Sequence, residues 1–224
     1  SHQRLYSFNK KTGKVIAVVT ESNISNLFHI GERIFYQVAS KGLFIIENGK
    51  ARSYITNDQI QNKAIIGLFS YSGSKMLAVT RDNGLFIIDG KSWRSFPVEN
   101  YPVSKSFFSA LYLKDGTLAL GSIGNGLYIL NLETSKNYHL SQPTILNNIV
   151  LAITEDSSGN IWCGLDNGIT LINRKSSFSL FIDTFGDIGT VYCSYKLGDT
   201  IYLGTNQGLY YSREGYEKPY SLVA

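Results

Sequence analysis

The stretch Asn147–Asn173, NNIVLAITEDSSGNIWCGLDNGITLIN, decides the fold because it ends in a pattern that recurs along the chain. The pattern is a Gly followed by a run of apolar residues. Its glycines lie 42, 42, 42 and 40 residues apart, at Gly42, Gly84, Gly126, Gly168 and Gly208. Self-similarity at a nearly fixed period indicates a protein built from repeated structural units. The first inference is therefore a repeat architecture.

Each repeat contains four short strands, which we call A to D, joined by tight turns. Alternating apolar and polar residues predict that A, B and the Gly-led C are buried on at least one face, whereas D is more polar. Pairs such as Asp115-Gly116 and Ser158-Gly159 stand between A and B and supply the positive φ of a hairpin. The content of 15 Tyr, 12 Phe and 21 Gly with only 4 Pro also favours strands over helices.

A four-stranded antiparallel sheet with an apolar first strand and a polar last strand is typical of a β-propeller blade, and a period of about 42 residues matches one blade. The sequence therefore predicts an all-β fold, a β-propeller, over a single region 1–224. The predicted blades are one partial and then complete ones, at 4–20, 26–56, 64–98, 106–141, 149–183 and 190–222. Large residues at one strand-B position are predicted to pack between blades: Phe35, Leu77, Trp162 and Tyr202.

The first predicted blade has only its C and D strands, so its A and B strands are missing. We therefore expect these residues to belong to a larger, seven-bladed propeller with a further segment on the N-terminal side. On this hypothesis the 224 residues form an open arc or bind a partner.

Charge and hydropathy narrow the classes of partner. The net charge of +4 is spread along the chain without a Lys or Arg cluster, which argues against a nucleic-acid partner. No apolar run approaches the roughly 20 residues that span a bilayer, so no membrane contact is expected. Cys163 and Cys193 are too few for a disulfide framework; they are expected to be free thiols, with a bridge between repeats as the alternative.

No catalytic or metal-binding arrangement is apparent. His2, His29 and His139 share no spacing that would assemble a metal site, and the sequence has no nucleophile elbow, phosphate-binding loop or dinucleotide fingerprint. The run Glu155–Asn160 clusters oxygen donors, but it lacks the ligand spacing of a calcium loop. Asp156 is instead predicted to accept hydrogen bonds from the backbone of a hairpin turn. We therefore predict no catalytic residue, metal or cofactor.

Binding is the more plausible function. In a propeller the D–A and B–C connections converge on one face, so several blades can contact one ligand. These connections are rich in amides and carboxylates, with Tyr101 and Phe185 as candidate stacking platforms, a mixture suited to saccharides. The candidate ligand-binding residues are Arg81, Asp82, Asn83, Tyr101, Asn125, Asn147, Asp166, Asn167, Phe185, Asn206 and Gln207. The alternative for each is that turns require Asn and Asp for their own geometry.

The residues Ile149–Leu171, preceded by Asn148, resemble the two-component regulator propeller repeat. The positions that fall on its pattern are Asn148, Val150, Ile153, Asp156, Gly159, Ile161, Trp162, Gly164 and Gly168, whereas Cys163 and Leu165 depart from it. The resemblance is fair at Ile201–Leu209 and weak in the first three repeats.

This resemblance implies a periplasmic sensor region of a hybrid two-component histidine kinase, many of which respond to oligosaccharides. It implies as partners an oligosaccharide, the remainder of the receptor ectodomain and a second receptor copy in a dimer. Kinase activity would reside elsewhere in the receptor, so the 224 residues are not expected to be an enzyme. The alternative hypothesis is a structural or protein-interaction scaffold without a small-molecule site.

Overall fold

The computed structural model of the protein describes residues 3–8, 10–20, 24–56, 58–102, 105–134, 136–176, 186–213 and 220–223. The chain divides into two compact units, unit 1 at Ser1–Lys175 and unit 2 at Ser176–Ala224. The predicted strand D at Phe178–Asp183 lies outside the described residues. That residues 1–224 form one propeller region stays a prediction.

Unit 1 begins with a hairpin of β1 (Gln3–Phe8) and β2 (Val15–Thr20). The next sheet comprises β3 (Ile24–Ile30), β4 (Arg33–Val38), β5 (Gly42–Glu47) and β6 (Lys50–Ile55), and it is followed by the short helix α1 (Asp58–Gln61). The third comprises β7 (Ile65–Ser70), β8 (Met76–Thr80), β9 (Leu85–Asp89) and β10 (Ser92–Phe96). The fourth comprises β11 (Phe107–Tyr112), β12 (Thr117–Ser122), β13 (Leu127–Asn131) and β14 (Asn137–Leu140). Then follow β15 (Val150–Glu155), β16 (Ile161–Leu165) and β17 (Ile169–Ile172).

Unit 2 contains one sheet of β18 (Val191–Leu197), β19 (Thr200–Thr205), β20 (Gly208–Arg213) and β21 (Ser221–Leu222). In both units the strands of every sheet are antiparallel and adjacent in chain order. The strand positions predicted from the repeat are therefore confirmed to within a few residues wherever the structure describes them. The predictions gave no helix, and α1 places Ile60, which is fully buried, in the core next to β5.

Apart from the β1–β2 hairpin, the first strand of each sheet carries a β-bulge at the same place in its pairing with the second strand. In the fourth sheet, Phe107 pairs with Ser122 and Ser109 with Gly121, so that Phe108 is the extra residue. The same shift occurs in β3, β7, β15 and β18. A bulge bends its strand and redirects the side chain at the extra position. Its recurrence defines equivalent positions in all the sheets.

Successive sheets of unit 1 pack face to face, with their first strands adjacent. β3 contacts β7, β7 contacts β11 and β11 contacts β15. Side chains tie these strands together: Asn26 Nδ2 donates to the Ile65 carbonyl at 2.7 Å, and Ser109 Oγ donates to the Val150 carbonyl at 3.1 Å. The two donors occupy equivalent positions after the bulge, so the repeat includes a recurring polar contact between neighbours.

Second strands of unit 1 are more deeply buried than last strands. Every residue of β8 and β12 is buried, because neighbouring sheets cover both of their faces, whereas the residues of the last strands β6, β10 and β14 are mostly exposed or half-buried. The first strand β18 of unit 2 is exposed along its whole length, against the prediction that first strands are buried on one face. Phe35 and Leu77 are fully buried, as predicted. The packing of Trp162 against the next sheet stays a prediction, since that sheet belongs to unit 2; its side chain is 40% exposed, and its indole N–H donates to Asp156 Oδ2 at 3.1 Å.

Candidate functional site

The two ends of each sheet present different connections. In unit 1 the loops between sheets (58–64, 97–102 and 141–149) lie at the same end as the turns between second and third strands (39–41, 81–84, 123–126 and 166–168). We call this end the loop face. The opposite end carries the hairpins between first and second strands, at 31–32, 71–75, 113–116 and 156–160, and we call it the turn face. Arg81, Asp82, Asn83, Tyr101, Asn125, Asn147, Asp166 and Asn167 all belong to the loop face.

Arg81 is the most tightly integrated of the predicted residues. Its backbone N–H donates to the Ala64 carbonyl at 2.8 Å, and its own carbonyl accepts from the N–H of Phe107 at 2.9 Å. These bonds fix the turn between β8 and β9 against the starts of β7 and β11. The guanidinium lies over the ring of Phe108, 5.9 Å from the centroid. The backbone therefore positions a cation above an aromatic ring that belongs to the next sheet.

Phe108 was missed by the sequence predictions, although it is 43% exposed on the loop face. It is the extra residue of the β11 bulge, which places it outside the regular alternation of the strand. The consecutive aromatics Phe107 and Phe108 were a usable signal, since neighbouring strand residues point to opposite faces and Phe107 is buried. A Phe so exposed at a fixed position offers an apolar ring face to a ligand.

Tyr101 was predicted to stack on a ligand, but part of its ring is covered by the protein core. Its ring is half-buried and meets Phe107 edge-on, with ring centroids 5.9 Å apart. Its hydroxyl is buried and has no hydrogen-bond partner among the described residues. Burial first, and then the negative charge of Asp82, raise the pKa of Tyr101, so the hydroxyl stays protonated. A ligand contact of Tyr101 must use the part of its ring that remains exposed.

Some polar residues of the loop face form hydrogen bonds within the protein, and others are exposed. Asn147 accepts a hydrogen bond from the backbone N–H of Ile149 at 2.8 Å, which is the turn-forming use that competes with ligand binding. The backbone carbonyl of Asn125 accepts a hydrogen bond from Nε2 of His139 at 2.6 Å. The side chains of Asp82, Asn83, Asp166 and Asn167 belong to exposed residues. These exposed side chains can supply hydrogen-bond donors and acceptors to a polar ligand.

The remaining candidate ligand-binding residues belong to unit 2. In unit 2, Asn206 accepts from the N–H of Thr190 at 2.7 Å and donates its own N–H to the carbonyl of Thr190 at 3.1 Å. Asn206 thus holds the start of β18 against the turn between β19 and β20. Gln207 is exposed in the same turn. Phe185 and His2 lie outside the described residues.

The Glu155–Asn160 turn has the predicted structural role. Oδ1 of Asp156 accepts from the N–H groups of Ser158 and Asn160, each at 2.9 Å, which confirms the turn prediction. Hydrogen bonds from the Asn160 side chain, the Trp162 indole and the Asn160 backbone lower the pKa of Asp156 to about 2. Within the described ranges, no three His, Cys, Asp or Glu side chains form a group that could hold a metal ion. Cys163, buried, and Cys193, exposed, are both free thiols.

Comparison with known proteins identifies the repeat. Residues 144–167 match the family model of the two component regulator propeller. The resemblance predicted for Ile149–Leu171 is thereby confirmed over the matched part of that stretch. No curated protein sequence matches the chain at a significant level. No helix among the described residues is long and apolar enough to cross a membrane.

Solved structures similar to the chain are β-propeller proteins. The extracellular domain of BT4673 from B. thetaiotaomicron, assigned to a one component system, matches 96% of this chain and 33% of its own length, with a TM-score of 0.60 and 20% identity. That of BT3049 from B. thetaiotaomicron, assigned to a hybrid two component system, matches 95% of this chain and 31% of its own, with a TM-score of 0.58 and 20% identity. Virginiamycin B lyase from Staphylococcus aureus matches 98% of this chain and 77% of its own, with a TM-score of 0.59 and 12% identity.

These comparisons establish the fold as a β-propeller built from repeated sheets, as the sequence predicted. The chain spans about a third of the length of the two extracellular domains that it matches.

Proposed function

We propose that the chain is the propeller part of an extracytoplasmic sensor region in a two-component system and that its loop face binds a polar ligand, an oligosaccharide in particular. The regulator-propeller match at residues 144–167 supports the receptor class. The likeness to extracellular domains assigned to one component and hybrid two component systems supports the extracytoplasmic location.

The observation that carries the ligand proposal is the pairing of Arg81 with Phe108. A saccharide ring has apolar C–H faces and a rim of hydroxyls, so it suits an exposed aromatic face bordered by hydrogen-bond donors. The guanidinium of Arg81 offers such donors beside the 43% exposed Phe108. The exposed Asp82 and Asn83 follow Arg81 in the same turn and add acceptors for hydroxyl protons.

Signalling requires that the ligand bind one receptor state better than another, because a ligand with equal affinity for both states shifts nothing. The Arg81–Phe108 pair joins a turn of one sheet to the first strand of the next. A ligand in contact with both residues therefore favours one arrangement of those sheets. The remainder of the ectodomain and a second receptor copy are the partners that would transmit this preference.

The test is isothermal titration calorimetry of the complete ectodomain against a panel of oligosaccharides. We expect one glycan to bind, with the affinity reduced about tenfold or more in Phe108→Ala and in Arg81→Ala, since each removes a direct contact. Tyr138→Ala and Arg94→Ala remove an exposed aromatic and an exposed cation elsewhere and should change nothing. Binding that survives both loop-face variants would contradict the proposed site.

A protein-interaction function is the second candidate, and apolar exposure on the loop face favours it. Ile123, Leu146 and Ile169 are 57%, 65% and 64% exposed. Leu146 Cδ1 lies 3.5 Å from where a Cβ on Gly168 would be, which places Leu146 beside the residue that precedes Ile169. Exposed apolar patches mark interaction surfaces. If no glycan binds and Leu146→Asp abolishes association with the rest of the ectodomain, the scaffold function is correct.

A further inference from the structure

Residues at the ends of three neighbouring first strands meet at a cleft on the turn face of unit 1. The cleft has a volume of about 230 Å³, and its lining includes His29 of β3, Ser70 of β7 and Tyr112 of β11. Leu68, Phe69 and the backbone at Gly31 complete much of the wall. This position is opposite to the loop face, where the sequence placed the ligand. The cleft is therefore separate from the Arg81–Phe108 pair.

The three polar residues are equivalent positions of the repeat. Each lies five residues after the first residue of its bulge: Ile24 for His29, Ile65 for Ser70 and Phe107 for Tyr112. The repeat thus places one polar side chain per sheet at the same height beside the adjacent first strands. Because the three differ chemically, they give the cleft an imidazole, an aliphatic hydroxyl and a phenol.

The equivalent residue of the next sheet, Glu155, is held away from the cleft. Its Oε2 accepts from the backbone N–H of Lys114 at 3.0 Å, in the hairpin between β11 and β12. Among the described residues that line the cleft there is no Lys, Arg, Asp or Glu. No lining residue would therefore form an ion pair with a ligand, and the hydrogen-bonding side chains suit a neutral one.

The aromatic wall of the cleft is held in place by its neighbours. The ring of Tyr112 lies 6.3 Å from that of Phe69 and 6.1 Å from that of Tyr71, and Tyr71 in turn packs edge-on against Phe96 at 5.6 Å. Burial first, and then Tyr71, Glu133 and Asp115, raise the pKa of Tyr112, so its hydroxyl remains a donor at neutral pH. A ring and a hydroxyl are thus presented together with little freedom to lose on binding.

We infer that this cleft binds a single neutral hydroxylated ring, the size of one monosaccharide unit. The volume of about 230 Å³, below the roughly 300–1,000 Å³ of pockets for drug-sized ligands, suits a single ring. Phe69 and Tyr112 face its C–H surface, and His29, Ser70 and the Tyr112 hydroxyl bind its hydroxyls. The choice of a saccharide as ligand rests on the proposed function, whereas the location of the site does not.

The test uses saturation-transfer NMR titrations of the whole chain with methyl glycosides of the common hexoses. We expect one glycoside to bind, and Ser70→Ala and Tyr112→Phe each to weaken it about fivefold through the loss of one hydrogen bond. Ser70 is exposed, so Ser70→Ala should fold normally. Tyr138→Phe is the matched control for the phenol.

Two outcomes would overturn the inference, and each differs from a failure of the proposed function. Glycoside binding that is lost in Phe108→Ala but kept in Ser70→Ala and Tyr112→Phe would place the ring on the loop face. If no glycoside binds at about 10 mM, roughly ten times a millimolar Kd, the cleft does not bind such a ring. In the second case, oligosaccharide binding sensitive to Phe108→Ala would still support the loop-face site.

Discussion

At the residue scale, some glycines lie where a neighbouring strand leaves no room for a Cβ. Gly126 belongs to the pattern that sets the repeat, and it has a φ of 77°. A Cβ there would collide with the carbonyl oxygen of Leu140 on the last strand of the same sheet. Gly121 has a different reason, because a Cβ would collide with Ser109 Oγ of the adjoining strand and would lie 2.7 Å from Val150 Cγ1 and 2.8 Å from the Val150 oxygen of the next sheet. Small size at Gly121 therefore permits two sheets to pack.

Gly121→Ala should destabilise the protein by about 2 kcal/mol, the usual cost of forcing a methyl group into a packed contact. Gly164→Ala is the matched control at the equivalent position of the next sheet. There the nearest atom is Ala152 Cβ at 3.5 Å, an ordinary contact, so its effect should be neutral or slightly stabilising. The midpoint of urea unfolding measures both, and equal midpoints would show that Gly121 is not a packing requirement.

At the element scale, Gln37 connects the second strand of one sheet to the first strand of the next. The residue is buried on β4. Its Nε2 donates to the Lys63 carbonyl at 2.6 Å, and its Oε1 accepts from the N–H of Ile65 at 2.9 Å. The equivalent residue is Val79 in the next sheet and Gly121 in the one after it. The hydrogen bonds of Gln37 are therefore specific to the interface between the β3–β6 and β7–β10 sheets. Repetition of the fold does not require identical contacts.

Gln37→Leu should cost about 3 kcal/mol, because it leaves a buried carbonyl and a buried N–H without partners. Gln61→Leu removes one amide hydrogen bond, from Nε2 to the Thr56 carbonyl at 3.1 Å in an exposed setting, and should cost less than about 1 kcal/mol. Circular dichroism during urea unfolding gives both values. A similar cost for the two variants would mean that solvent or neighbouring groups replace the Gln37 contacts.

At the scale of the whole molecule, each sheet of unit 1 packs on its neighbours in sequence. Separate clusters of buried residues lie between successive sheets: one groups Phe35, Leu43 and Met76, another Leu77, Phe107 and Leu118, and a third Ala119, Val150 and Ile161. In such an array the stability of one sheet depends on its own interactions and on its two interfaces. A local defect should therefore have a local effect.

Hydrogen exchange should resolve this locality. Gly121→Ala should lower protection in the β11–β14 and β15–β17 sheets while sparing β3–β6, and Gln37→Leu should lower it in β3–β6 and β7–β10 while sparing β15–β17. The two variants thus serve as controls for each other. A uniform loss of protection across unit 1 in both would instead mean that it opens as a single cooperative unit.

The sequence predicted the strands well because their signals are local. A period of two residues marks a half-buried strand, and Gly, Asn and Asp mark the turns, whatever the sheets pack against. The turn-forming role of Asp156 followed from the same local chemistry. The hydrogen bond from the Trp162 indole to Asp156 was not predicted, because the period assigns residues to faces and does not name side-chain partners.

By itself, then, the sequence determined the repeat, the order of the strands and the face on which the loops gather, since all three depend on spacing along the chain. Only the tertiary structure decided that Phe108 is exposed beneath Arg81 and that His29, Ser70 and Tyr112 share a cleft. These groups come from different sheets, and their proximity depends on how neighbouring first strands are bulged and aligned. No short-range pattern encodes that alignment, because it results from side chains packing across interfaces between repeats.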